Sequence, residues 1–233
     1  MNGKAIIKFL VVIAAIIGLF AYFIQPLAGS LKQGLDLQGG THIVLEAEDS
    51  ATGQADNDAV ERAKQILERR INEMGLSEPL VQREGARRII IELPGVKDPD
   101  EAIKRIGKTA VLEFKNDQGQ TVMTGDDLKD AKEELGQNKQ PLVAIELSDE
   151  GAKKFADLTS KNIGRRIAIT LDGKELTNPV VQQAITGGKA TISGSQSLEE
   201  AKDLAILLRS GALPVKINVL EVRTVGPSLG QDS

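Results

Sequence analysis

The sequence has no cysteine and no tryptophan in its 233 residues. Disulfide staples, thiol catalysis and zinc–thiolate sites are therefore excluded. His42 is the only histidine. It falls inside a strand-like segment with no second ligand of its kind nearby, so a polar contact is the ordinary reading and metal binding is not. Aromatic residues make up only 3% of the chain. Phe9, Phe20, Tyr22 and Phe23 cluster near the N-terminus, which leaves Phe114 and Phe155 for everything else. This argues against stacking on bases or sugars and against a tight aromatic hot-spot interface. Weak aliphatic and polar contacts are what such a chain has to offer a partner.

Charge is also limited. Lysine and arginine total 29 against 33 acids, a net of −4. Lys4 and Lys8 are the only charged residues in the first 30, so the remainder carries 27 bases against 33 acids. That balance argues against nucleic acid or anionic lipid as the main partner. Several catalytic signatures are missing too. No Gly-x-Gly-x-x-Gly or Gly-x-Ser-x-Gly occurs, and no P-loop lysine follows a glycine-rich turn. The sequence points to no catalytic residue, no metal site and no cofactor. A membrane-anchored hydrolase is disfavoured because no site constellation stands out among the scattered acids.

One long apolar run is present. Ala5 to Ile24 has Lys8 as its only charge. About 20 helical residues cross a hydrocarbon core of about 30 Å. The spacing predicts a transmembrane anchor over residues 1–30, with the N-terminus cytoplasmic by the positive-inside rule and the bulk extracytoplasmic. A cleavable signal peptide is the alternative, since Leu27-Ala28-Gly29-Ser30 offers small residues, but its apolar core is usually only about 7–15 residues long. Nothing after Ile24 is long and apolar enough to span.

Beyond the anchor the pattern is α+β. Thr41–Glu48 alternates with Ile43, Leu45 and Ala47 on one face. Asp56–Met74 carries a helical stripe through Ala59, Ala63, Ile66, Leu67, Ile71 and Met74, and Gly75 is placed to end it. Leu80–Arg83 and Arg88–Leu93 read as a hairpin. Asp98-Pro99 starts a short helix, and Val111–Phe114 starts another strand. A helix is expected over Asp126–Leu135, a strand over Val143–Leu147, and a helix from Ser148 to Thr159. Asp172-Gly173 is a hairpin turn signal, and short strands follow at Val180–Ile185 and Ala190–Ile192. Ser197-x-x-Glu200 has the form of a capping box and opens a helix to Arg209. Leu213–Val225 is extended.

Gly39-Gly40, a strand and a helix recur faintly as Gly187-Gly188, a strand and a helix. Two such units build a split ferredoxin-like sandwich. The simplest assembly is a base of residues 31–115 plus 197–226, with 116–196 inserted as a second α+β lobe and 227–233 as a C-terminal tail. Arg69-Arg70 and Arg165-Arg166 read as solvated pairs. Asp36 reads as a turn carboxylate, or as a contact made at the membrane surface.

The stretch Gly34-Leu35-Asp36-Leu37-Gln38-Gly39-Gly40 just after a membrane helix resembles the opening of the SecD family of preprotein translocase accessory subunits. Glu68–Leu76 (ERRINEMGL), Ile90–Val96 (IIELPGV) and Leu207–Gly230 resemble the same family. The last of these contains Arg209, Ser210, Gly211, Ala212, Leu213, Pro214, Gly226 and Pro227. Leu171-Asp172-Gly173 and Ile185–Gly188 agree as well. The resemblance implies a non-enzymatic role in protein export beside SecF and the SecYEG channel in the cytoplasmic membrane. It implies a mobile head, residues 116–196, that holds unfolded preprotein with help from the proton-motive force. Which head residues touch preprotein is unknown from the sequence. The family's later membrane helices, with its proton path, fall beyond Ser233. Head motion implies a hinge at Lys115–Asn116 and Gly194–Ser195. The alternative is an anchored adaptor that binds SecF or the channel without touching substrate.

Overall fold

The computed structural model describes residues 13, 35, 39–49, 53–76, 79–96 and 98–226. The anchor segment other than Ile13, the motif residues Gly34, Asp36, Leu37 and Gln38, and the tail with Pro227 lie outside them. No described helix is long and apolar enough to cross a membrane.

Two separate cores organise the described chain. The first belongs to an antiparallel sheet of four strands. They are β1 (Gly40–Glu48), β2 (Leu80–Glu84), β3 (Arg88–Pro94) and β11 (Lys216–Val225), in the spatial order β11-β1-β3-β2. Helix α1 (Asn57–Glu73) connects β1 to β2, and α2 (Pro99–Ile106) follows β3. The chain then leaves and returns as β11. This β-α-β-β-α-β order is a split β-α-β sandwich whose last connection has been opened to admit a second lobe.

The reasons are local. Asp56 caps α1 by accepting from the Ala59 N–H at 2.7 Å, and Asp98 caps α2 through the N–H groups of Asp100 and Glu101, with Pro99 in the first turn. Alternation along β1 and β3 buries Ile43, Leu45, Ile89, Ile91 and Leu93 against Val60, Ala63, Leu67 and Ile71 of α1. Each such side chain contributes roughly 1.5–3 kcal/mol by leaving water. The opposite face is polar, with His42 Nδ1 3.4 Å from Glu92.

The second lobe has two sheets. One runs β5-β4-β8-β9, from β4 (Leu112–Lys115), β5 (Thr121–Thr124), β8 (Ala168–Leu171) and β9 (Lys174–Thr177). The other runs β10-β7-β6, from β6 (Leu128–Leu135), β7 (Pro141–Leu147) and β10 (Lys189–Ser193). Helices α3 (Asp149–Lys161) and α4 (Leu198–Ser210) complete it. Phe114 and Phe155 meet edge to face at the centre, ring centroids 5.9 Å apart. Asp172 and Gly173, at φ 49° and 77°, make the β8–β9 turn.

Four expectations are corrected here, the first being the base boundary at residue 115: β4 (Leu112–Lys115) leaves the base, since Leu112 and Phe114 sit in the second core. Asp126–Leu135 is not a helix. A single 3-10 turn at Gly125–Asp127 leads into β6, which pairs with β7. Lys, Glu and Ala favour a helix locally, but pairing with β7 and burial of Ala131 override that weak preference. Val180–Ile185 is not a continuous strand: only Val180 and Val181 form isolated bridges, to Arg166 and Ile163. Pro179 lacks a donor at its start. Finally, the helix at 198–210 does not belong to the base. Ala201, Leu204, Ala205 and Leu208 pack into the second core with Phe114 and Ile145. The base regains the chain only at Leu213 and Val215, which sit in the first core.

Candidate functional site: the lobe junction and the head groove

The chain passes between the lobes twice, through residues 107–111 outward and 211–213 on return. Arg70 on α1 lies between these crossings with no exposed surface. Its Nη1 donates to the Ile106 carbonyl at 2.6 Å and to that of Lys108. Its Nε donates to Ser210 Oγ at 3.1 Å and its Nη2 to the Gly211 carbonyl at 2.8 Å. Burial pulls the guanidinium down to about 10, and the Asp172 carboxylate partly opposes the shift. It stays charged at neutral pH.

Two half-exposed arginines flank this hub. Arg105 of α2 grips Asp203 of α4 through three hydrogen bonds of 2.6–3.0 Å and reaches Glu199 at 3.2 Å. Hydrogen bonding to Asp203 raises its pKa further. Arg209 of α4 reaches back to Glu73 of α1 at 2.7 Å and donates to the Ala131 carbonyl of β6 at 2.7 Å. Arg69 donates to the Ser210 carbonyl at 3.0 Å. The lobes are thus joined by arginine hydrogen bonds more than by shared core.

Of the sequence-predicted residues, Arg209, Ser210 and Gly211 do come together here, and Leu213 enters the base core. The Pro214 carbonyl stands so near Gly53 that a Cβ there would be 2.9 Å from it. Gly39 and Gly40 lie elsewhere, at the start of β1. The Gly39 N–H donates to the Leu35 carbonyl at 2.8 Å, and the Gly39 carbonyl accepts from Gly95 at 3.0 Å. The proposed hinge residues are not at the junction. Lys115 lies within β4, and Asn116 holds the β4–β5 turn by accepting from Gln118 and Gln120. Gly194 and Ser195 precede α4 inside the head, with Gly194 packed on the Leu176 carbonyl. A hinge there requires α4 to belong to the base, and α4 packs into the head core instead. Arg70, expected to be solvated, is buried, and its spacing is the signal: it falls on the stripe of Ala63, Leu67 and Ile71 that α1 buries.

A groove of about 750 Å³ opens between the two head sheets beside α3. Ile145, Phe155, Ile167 and Ile169 form its floor, and the segment Pro179–Ile185 forms one wall. Val180 on that wall is 46% exposed. Charges of both signs, among them Lys132, Glu146 and Lys189, border it. No group of three or more His, Cys, Asp or Glu is placed to hold a metal among the described residues.

Comparison with known proteins decides the family. The family model for the SecDF P1 head subdomain matches residues 103–215. That for the N-terminal part of the P1 domain of protein translocase subunit SecDF matches 60–119, and the SecD/SecF GG motif matches 31–51. A protein translocase subunit SecD from Acidaminococcus fermentans is 58% identical over all of this chain and 56% of its own length. A solved structure of SecDF, described as a membrane component that enhances protein export, is 40% identical over 78% of this chain and 99% of that one, with a TM-score of 0.71. The chain belongs to the SecD/SecDF family. A crystal structure of SecDF in its super-membrane-facing form agrees, at a TM-score of 0.76 and 42% identity over 87% of this chain and 32% of that one. This chain spans about half the length of the SecD relatives it matches, 56% and 51% for two of them. The SecDF head model extends across α4, in keeping with the core to which that helix contributes.

Proposed function

We propose that this chain is the extracytoplasmic P1 portion of a SecD-type subunit. It is anchored by residues 1–30 in the cytoplasmic membrane and holds emerging preprotein on the far side. It works with SecF and the SecYEG channel, and the proton-motive force acts through segments other than those described here. The role is binding, not catalysis, and it takes no cofactor. The head groove carries this reading. Its aliphatic floor, mixed-charge border and exposed wall at Val180 suit side chains of varied sequence held in extended form.

A photo-crosslinking residue at Val180 or Ile185, in the full-length subunit carrying a stalled secretory chain, tests it. Crosslinks from the head and none from Gln82 of the base are expected. Crosslinks from the base alone would exclude the head as holder. A second reading is an adaptor that binds SecF or the channel without touching substrate. It is favoured by β11, a ten-residue edge strand with Val219, Leu220 and Val222 exposed. Co-purification with SecF in the absence of any substrate crosslink would select it.

A further inference from the structure

The wall of the head groove is tied by main chain at Val181 and again at Gly188. The Val181 N–H donates to the Arg165 carbonyl at 2.9 Å, and the Val181 carbonyl accepts from Gly164 at 2.8 Å. The Gly188 carbonyl accepts from Leu147 at 2.8 Å. Gln182–Gly187 lie between these ties. Among the described residues, a single hydrogen bond reaches that stretch: the Ile185 N–H donates to Thr159 Oγ1 of α3 at 3.0 Å. Thr159 is 1% exposed. Its hydroxyl donates to the Phe155 carbonyl, one helical turn back, at 2.7 Å. A hydroxyl has one proton and two lone pairs, so bonding back to the helix leaves a lone pair for the wall. The bond to Phe155 also polarises the hydroxyl and makes it a better acceptor. Ile185 is half-buried against the head core, while Gln182, Gln183, Ala184, Thr186 and Gly187 are exposed. Phe155, Thr159 and Ile185 all line the groove.

We propose that Thr159 is a positioning residue for chain capture: its hydroxyl pins Ile185 and so fixes the wall against which an extended, unfolded polypeptide lies in the head groove. The proposal rests on the reading that this groove holds preprotein. Successive turns of α3 supply the floor through Phe155 and the fastening of the wall through Thr159, so the two sides of the groove are set by one rigid element. Without the hydroxyl, the partly buried Ile185 N–H has no acceptor, and an unmet donor of that kind is costly. The wall then lifts until water satisfies the amide, and Ile185 leaves the groove with it. A chain entering such a groove must order the wall as well as itself, and affinity falls.

Thr159→Val and Thr159→Ser, made in the full 233-residue chain, separate the hydroxyl from the shape of the side chain. Hydrogen exchange at the Ile185 amide reads the wall, and exchange across β4 and α3 reads the core. Fluorescence anisotropy of labelled, reduced and carboxymethylated lactalbumin, a permanently unfolded chain, reads capture. Thr159→Val should speed exchange at Ile185 about tenfold and weaken binding of the probe by a factor of about 2–10, with core protection unchanged. Thr159→Ser keeps the hydroxyl and should match the parent in both. Should Thr159→Val disturb the core, Ile185→Pro decides the matter. It removes the donor from the wall, leaves α3 untouched, and should weaken binding by a similar factor; binding equal to the parent's would overturn the proposal. An Ile185 amide as protected in Thr159→Val as in the parent would overturn the hold. Faster exchange with unchanged binding would overturn the role in capture. A parent chain that does not bind the probe would refute the groove reading and the proposal with it, and exchange at Ile185 would still show whether Thr159 holds the wall.

Discussion

Gly40 should be the least replaceable residue of the glycine pair that opens the base. Its φ is 147°, and a Cβ there would stand 2.4 Å from the Leu93 carbonyl oxygen and 2.9 Å from the Pro94 Cα. Both obstacles are backbone, and both are pinned, because Gly40 pairs with Pro94 and Thr41 with Leu93 across β1 and β3. The strand ends must part to admit the Cβ, and alanine must also hold a positive φ. The first costs about 1–3 kcal/mol by overpacking and the second about 1–3 kcal/mol by strain, so Gly40→Ala should lose roughly 2–6 kcal/mol. A base of about 80 residues has a stability of about 4–12 kcal/mol, so the loss is a large share. Gly39 is different. Its φ of 65° is a left-handed value that asparagine also adopts, and Gly39→Asn should lose about 1 kcal/mol or less. With no tryptophan to report unfolding, hydrogen exchange of peptides covering β1 and β3 is the assay. Gly40→Ala should reduce their protection by a factor of roughly 30 or more, and Gly39→Asn should barely change it. Equal losses in the two variants would refute the packing argument. A Gly40→Ala protein with protection intact but export abolished would refute it too, and would assign the motif to a partner contact.

Other consequences can be checked on the same material. Phe155→Ala removes one partner of the Phe114 contact at the centre of the head and should lose about 3–5 kcal/mol; hydrogen exchange should rise across β4, β7 and α3 while the base peptides stay protected. Ser197→Ala deletes the cap that accepts from the Glu200 N–H at 3.1 Å and should lose about 1 kcal/mol, read as a lower urea midpoint by circular dichroism. Hydrogen bonds from Thr121 and Lys115 hold the Glu113 carboxyl below its ordinary value. Because the folded value is the lower one, its stabilising contribution is present above the unfolded value and fades as pH falls through the folded one. Glu113→Gln should therefore flatten part of the acid limb of stability against pH, and an unchanged limb would count against the assignment.

The base was legible because its signals are local. Asp56, Asp98 and Pro99 cap helices where they stand, the turn at residues 85–87 closes a hairpin, and alternation marks the buried face of β1 and β3. In the head, Ser148, Ser197 and Asp172-Gly173 did the same. What the sequence concealed was long-range. β6 is composed of helix formers and becomes a strand only because β7 lies beside it. α4 is amphipathic in a way that suits either lobe, and only the packing of Ala201, Leu204 and Leu208 against the head core assigns it. The expected hinge at Gly194–Ser195 is displaced with that helix, and the one at Lys115–Asn116 is displaced because β4 packs Leu112 and Phe114 into the head core. Arg70 was hidden differently. A charged residue on a buried stripe looks like a tolerated exception until three carbonyls are found converging on it.

The manner of joining bears on what the head can do. Each lobe has its own apolar core, and no residue of one core belongs to the other. Had the lobes shared a large apolar interface, turning the head would expose it at about 25 cal/mol per Å². Here the side-chain contacts across the junction include Arg105 with Asp203 and Arg209 with Glu73, all with partly exposed side chains, and Arg69 with the Ser210 carbonyl. Exposed ion pairs are worth about 0–1 kcal/mol each, and the two-pronged grip of Arg105 on Asp203 stands above that range. Parting the lobes at these pairs would therefore expose charged groups to water rather than apolar surface. Arg70 is the exception, since releasing it would strand buried carbonyls. Raising ionic strength should accordingly widen the base–head distance distribution through the outer pairs while the exchange of amides around Arg70 stays unchanged. Loss of protection at residues 106–111 in high salt would show that the buried arginine shares the fate of its exposed neighbours, and the distinction between them would fail.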